Sequence, residues 1–123
     1  MNLGEEQKMD RKEKKSLREH IGEFLDIDNT RLTDDEAEFL GDFVDSYEEE
    51  YRGRSTTERN SYTGWASDGK YRRDEETTFT FTDQPGIRQD YSYHDDDGQN
   101  DSWSQVFRSG REILNLFKSN KVS

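Results

Sequence analysis

Apolar residues recur at helical spacing in two early stretches of the chain. Leu17, Ile21, Phe24 and Leu25 fall at i, i+4, i+7 and i+8, so they share one face and predict a first helix from Asp10 to Leu25. Ala37, Leu40, Val44, Tyr47 and Tyr51, broadened by Phe39 and Phe43, predict a second helix that runs to about Tyr51. Its start is marked in the sequence. Thr33 followed by Glu36 fits a capping box, and Asp34 and Asp35 suit the positive end of a helix dipole. Gly53 is the expected stop.

Beyond residue 54 the period drops towards two. Ser61–Ala66 reads as a strand, followed by a turn at Ser67-Asp68-Gly69. Thr77–Thr82 and Ile87–His94 read as a hairpin around Asp83-Gln84-Pro85-Gly86. Phe79 and Phe81 share one face, as do Tyr91 and Tyr93. An odd-length loop puts both pairs on the same face, with Gly86 as the expected left-handed residue. Asp95–Asp101 reads as an acidic loop. Ser102 with Gln105 suggests a second capping box, opening a third helix from Trp103 to Lys118 with Trp103, Val106, Phe107, Gly110, Ile113, Leu114 and Phe117 on one face. The expected class is α+β: two N-terminal helices, a small antiparallel three-stranded sheet with a hairpin, and a C-terminal helix. Residues 1–9 are expected to be a flexible N-terminus and 10–123 a single domain. No internal repeat is visible.

Composition complicates this picture. Hydrophobic residues make up 27% of the 123 positions, charged residues 38%, and the net charge is −11. Those values are usual in disordered chains. The aromatic content of 12% and the clear periodicities argue for a folded domain with a thin, aromatic-rich core. There is no cysteine, which removes disulfides, thiolate nucleophiles and cysteine metal sites together. No N-terminal apolar stretch resembles a signal peptide, and no run approaches the length of a membrane span. The expectation is a soluble, cytoplasmic protein. Its acidity opposes direct binding to nucleic acid or to anionic membranes, because phosphates would repel it.

The charge is segregated along the chain. Residues 33–51 carry nine acidic and no basic groups, and residues 74–101 are net −8, whereas 52–73 and 102–123 are net +4 and +3. On an ideal helix Asp35, Glu38, Asp42, Asp45 and Glu49 fall within about 80° of one another, opposite the apolar stripe. They predict a carboxylate ridge about 21 Å long, with neighbours roughly 5–6 Å apart. Such a row imitates the spaced charges of a phosphate backbone and would be drawn by long-range attraction into the basic groove of a nucleic-acid-handling protein. Asp95, Asp96 and Asp97 are further candidate partner-binding residues, and Asp101, Asp74, Glu75 and Glu76 could extend the surface. The plain alternatives are a solvated face that keeps the chain dispersed, or the acidic surface of a protein from a salt-tolerant organism. The basic segments either pair internally or contact nucleic acid already held by the partner.

In size, acidity and lack of cysteine the whole chain resembles small phage-encoded inhibitors of the anti-CRISPR and anti-restriction type, a class defined by no shared motif. Some of these act as nucleic-acid mimics. The resemblance implies a non-enzymatic inhibitor whose partner is a nucleic-acid-binding protein such as a nuclease or CRISPR effector, with no cofactor. It implies a role for no particular residue. A competing expectation is a protein–protein adaptor or immunity-type protein that uses an aromatic patch, with acidity serving only solubility.

Catalytic patterns are wanting. His20 and His94 are the only side chains with an unperturbed titration near neutrality. His20 is expected to be packed near Phe24, and His94 to end a strand. Two histidines without cysteine do not make a structural zinc site. Counting a calcium loop from Asp95 puts Asn100 at position six and Val106 at position twelve, where glycine and glutamate are needed. The Asp26, Asp28, Thr30 pattern fails in the same way at Ala37. There is no phosphate-binding glycine loop and no nucleophile motif. Tyr62, Trp65 and Tyr71 lie among Arg72 and Arg73 and could stack on bases, although a sheet core with solvated arginines is the favoured explanation.

Overall fold

The computed structural model describes residues 17–27, 31–67 and 69–122. Two expectations, the flexible residues 1–9 and the first part of helix one (10–16), lie outside them. Residues 17–22 are helical (α1), with Ile21 and Leu25 buried as the periodicity requires. Helix α2 spans Asp34–Asp45, and Ala37, Leu40, Gly41, Phe43 and Val44 form its buried side. After Ser46 the chain continues as one wider π-helical turn, Tyr47–Tyr51. Gly53 follows with φ +81°, a left-handed residue at the end of the run where glycine costs least.

The remainder is a four-stranded antiparallel meander in the order β1-β2-β3-β4, closed by helix α3. The strands are β1 (Ser55–Ala66), β2 (Gly69–Phe81), β3 (Ile87–Asp95) and β4 (Asn100–Phe107), and α3 spans Gly110–Lys118. The class is α+β as expected, with one strand more. β1 begins six residues before the expected Ser61, and β2 eight residues before the expected Thr77. Both extensions are polar on both faces, so they carry no apolar alternation to reveal them.

The expected third helix is corrected. Asn100–Phe107 is a strand paired along its whole length with β3, so Trp103, Val106 and Phe107 belong to the sheet. Ser102 caps no helix. α3 starts at Gly110 after Ser109, which makes no side-chain capping bond.

The odd loop is present, because Phe81 pairs with Ile87 across residues 82–86. Phe79, Phe81, Tyr91 and Tyr93 therefore share a face. Gly86 does not adopt positive φ. It is needed for close approach instead: a Cβ there would lie 3.2 Å from the Phe107 carbonyl oxygen. The Tyr47 hydroxyl donates to the Gly86 and Thr82 carbonyls at 3.0 and 2.5 Å, tying the π turn to the hairpin.

The helices cover only the near end of the sheet. Phe79, Phe81 and Ile87 join Ile21, Leu25, Leu40, Phe43, Tyr47, Ile113, Leu114 and Val122 in one core. Past Phe79 the β1–β2 hairpin projects roughly 33 Å without a helical layer among the described residues. There the sheet is held by its own side chains. On the helix-bearing face the Arg73 guanidinium lies 4.1 Å from the Tyr93 ring and 5.5 Å from the Tyr71 ring, and it grips Asp95 in a bidentate pair at 2.6 and 2.9 Å. Tyr91 stacks on Trp103 at 5.2 Å. Burial, with the Glu75 carboxylate beside it, pushes the Tyr91 phenol up to about 12. On the other face Thr57 meets Thr78, Arg59 meets Glu76 and Ser61 meets Asp74, each as a direct cross-strand pair.

Candidate partner-binding surface

Helix α2 starts where its sequence says. The Glu36 amide donates to Thr33 Oγ1 (3.1 Å), and the Thr33 amide donates to Glu36 Oε1 (3.0 Å), a complete capping box. Glu36 is more than a cap. It accepts from Arg111 at 2.6 and 3.1 Å and from Lys118 at 2.9 Å, so it joins the start of α2 to α3. These bonds, Arg111 first, hold the Glu36 carboxyl far below its ordinary value of 4.5.

A carboxyl depressed in the folded state adds stability above its unfolded pKa, and that stability fades as pH falls through and below about 4.5. Glu36→Gln is therefore expected to lower the thermal midpoint at neutral pH, and to differ less and less from the parent chain as pH drops below 4.5. Melting curves between about pH 7 and about pH 3 check this.

With the inner face of α2 committed to the core, Asp35, Glu38, Asp42, Asp45 and, on the π turn, Glu49 are all exposed. Asp45 is 2.7 Å from His20 Nε2, a pairing between α1 and α2. His20 also packs edge-on against Phe24, 5.4 Å away. Asp35, Glu38, Asp42 and Glu49 meet no cation among the described residues. Asp35 also borders a shallow apolar groove floored by Phe39, Leu114 and Phe117.

The other candidate acids lie elsewhere. Asp95 is 2% exposed and both its oxygens are taken by Arg73, whose guanidinium holds its carboxyl below the usual range, so it presents no charge to a partner. Asp96 and Asp97 are exposed on the β3–β4 turn, at the end of the sheet away from the helices. Counting β3 from Ile87 in the core, that turn is about 26 Å from the helical layer. Asp74 and Glu76 sit on the face that no helix among the described residues covers, matched by Ser61, Arg72 and Arg59, while Glu75 is on the opposite face. The acidic blocks thus do not form one surface, and part of the basic segment 52–73 pairs internally.

Sequence reading missed the Arg73–Asp95 pair and the Tyr91–Trp103 stack, because both depend on strand register. Trp65, singled out with Tyr62 and Tyr71, is 79% exposed near the β1–β2 turn, 6.0 Å from Lys70 Nζ. His94 is exposed, and no group of three or more metal-binding side chains is arranged around an ion among the described residues. No helix among them is long and apolar enough to cross a membrane. Compared with known protein families, curated proteins and solved structures, the chain matches none.

Proposed function

We propose that this chain is a non-enzymatic inhibitor that docks the solvent face of α2 into the basic groove of a nucleic-acid-handling protein, such as a nuclease or CRISPR effector, and blocks it by occlusion. One observation carries the reading. Asp35, Glu38, Asp42 and Glu49 stand exposed in a row with no neutralising cation among the described residues, whereas Asp74, Glu76 and Asp95 are matched within the sheet. Like charges at helical spacing repel by a few tenths of a kcal/mol per pair. A basic partner turns that internal cost into attraction. The capping box and the Glu36–Arg111 pair fix the ridge on a rigid element, which limits the entropy lost on docking.

The test is capture from a host lysate with and without excess double-stranded DNA, followed by titration of the recovered protein. Reversal of Asp35, Glu38, Asp42, Asp45 and Glu49 to lysine is expected to weaken binding at least about 100-fold, with the helical signal retained because the buried side is untouched. Parent affinity should fall as salt rises. An affinity unchanged by the reversal would overturn the reading. The second reading, an adaptor working through an aromatic patch, is favoured by the exposed Trp65, Trp103 and Tyr62. It requires a partner indifferent to DNA and to salt.

A further inference from the structure

We infer that the free edge of β4 pairs antiparallel with β4 of a second copy of this chain, joining two four-stranded sheets into one. β4 is an outer strand of the meander. The Asp95 amide donates to the Gln99 carbonyl (2.7 Å), which sets the alternation of the β3–β4 ladder. By that alternation the backbone groups of Asp101, Trp103, Gln105 and Phe107 face β3, and those of Ser102, Ser104 and Val106 face outward. The next outward carbonyl, that of Arg108, accepts from the Asp26 amide at 2.8 Å, confirming the phase. Asp26 closes the edge at that end, with its isolated bridge to Ser109. Among the described residues no other segment pairs with the outward groups of residues 100–106, and only the Ser102 amide is engaged, by its neighbour Asp101.

Natural edge strands are usually blunted by lysine, proline, a bulge or an inward charge. This strand has no lysine, no proline and no bulge. In a chain that is 38% charged, residues 102–107 carry no charge at all. The single carboxylate of the strand, Asp101, accepts from the outward Ser102 amide at 2.8 Å, a local bond that pairing with a second copy exchanges for one between copies. The open rim also leaves apolar surface uncovered on both faces: Trp103 is 45% exposed on one and Val106 is 48% exposed on the other.

The lack of charge says what fits. A basic segment of a partner would find almost nothing to recognise along this edge, whereas a neutral Ser-Trp-Ser-Gln-Val strand finds its own complement. A two-fold axis at Trp103 sets Ser102 opposite the second copy's Ser104 and Asp101 opposite its Gln105. No like charges face each other, and the two Trp103 rings meet across the axis. The Tyr91–Trp103 stack then continues through both copies, and isologous pairing closes as a dimer. This inference goes beyond the acidic-ridge reading and does not depend on it.

Salt separates the two. Each copy carries net −11, so screening should strengthen self-pairing while it weakens docking on a basic protein. Sedimentation equilibrium of the full chain from about 10 μM to about 1 mM, at about 0.1 M and about 0.5 M salt, is expected to show the mass rising from one copy to two, with a several-fold tighter midpoint at the higher salt. Ser104→Pro removes an outward amide at an edge position that tolerates proline, and Val106→Lys places a charge on the rim. Each should weaken pairing at least about tenfold while keeping the parent far-ultraviolet spectrum. If one variant misfolds, the other carries the test. A one-copy mass at every concentration and both salts, or a dimer indifferent to both substitutions, would overturn the inference.

Discussion

Phe43→Ala is expected to destabilise the domain by about 3–5 kcal/mol, the largest loss available from a single side chain in this core. Phe43 is 1% exposed and lies where α2, the π turn, β2 and α3 meet. Its ring centroid is 4.9 Å from Tyr51, 5.2 Å from Tyr47, 5.8 Å from Phe117 and 6.1 Å from Phe81. Truncation removes the transfer energy of the ring, opens a cavity between the elements it joins, and breaks two edge-to-face and two tilted ring contacts. Native domains hold only about 5–15 kcal/mol in total, so a thin core has little left after such a loss. Urea unfolding should show a midpoint shifted far down with an unchanged slope. Phe39→Ala on the same helix is the control, because its ring is exposed along one side and touches only Phe117 among the aromatics, at 5.0 Å. A similar cost for both would mean that the ring cluster is not the centre of stability.

The second large effect is expected at the far end of the sheet. Arg73→Ala strands Asp95, a carboxylate buried to 2% exposure whose only side-chain hydrogen-bond partner among the described residues is that guanidinium. An unpaired buried charge is worse than no charge, so Asp95→Ala and the double variant should both be milder than Arg73→Ala alone. The pH dependence carries a sign. In the parent chain the Asp95 carboxyl is depressed, chiefly by its bond to Arg73, so the contribution of the pair is present above the unfolded pKa and fades as pH falls through the folded one. In Arg73→Ala the stranded carboxyl is raised by burial, and protonation relieves it. The gap between parent and variant should therefore narrow from about pH 7 to about pH 4, read as thermal midpoints. A gap that stays constant on acidification would mean that Arg73 acts through its rings, Tyr71 and Tyr93, and not through the carboxylate.

What could be read from the sequence was what is decided locally. The Thr33–Glu36 box needs four consecutive residues, and it is where the pattern put it. The exposure of Asp35, Glu38, Asp42 and Asp45 follows from the phase of α2, whereas Glu49 lies beyond it on the π turn. The shared face of Phe79, Phe81, Tyr91 and Tyr93 follows from parity once a hairpin is granted. What failed is decided at a distance. Trp103, Val106 and Phe107 fit helical spacing, yet Trp103, Gln105 and Phe107 also alternate. The open edge of β3 chose between them, and nothing within residues 100–107 announces that edge. The first half of β2 has Arg73 and Glu75 on its helix-bearing face, where strand patterns want apolar residues. Asp95 was read as one more exposed acid in a run. Its partner is 22 positions away and is reached only through the register that sets Arg73 opposite it.

The projecting hairpin makes the molecule a cantilever, clamped at the ring cluster and free at its tip. Opening the tip breaks ladder bonds, the Arg73 pair and one stack, whereas opening the base breaks the core, so the opening free energy is graded along every strand. Local fraying and global unfolding are then separate events in one small chain. A segment inserted at the Ser67 or Asp97 turn would load the free end and leave the clamp intact. The tip is the place where this protein can gain sequence at least risk to its fold.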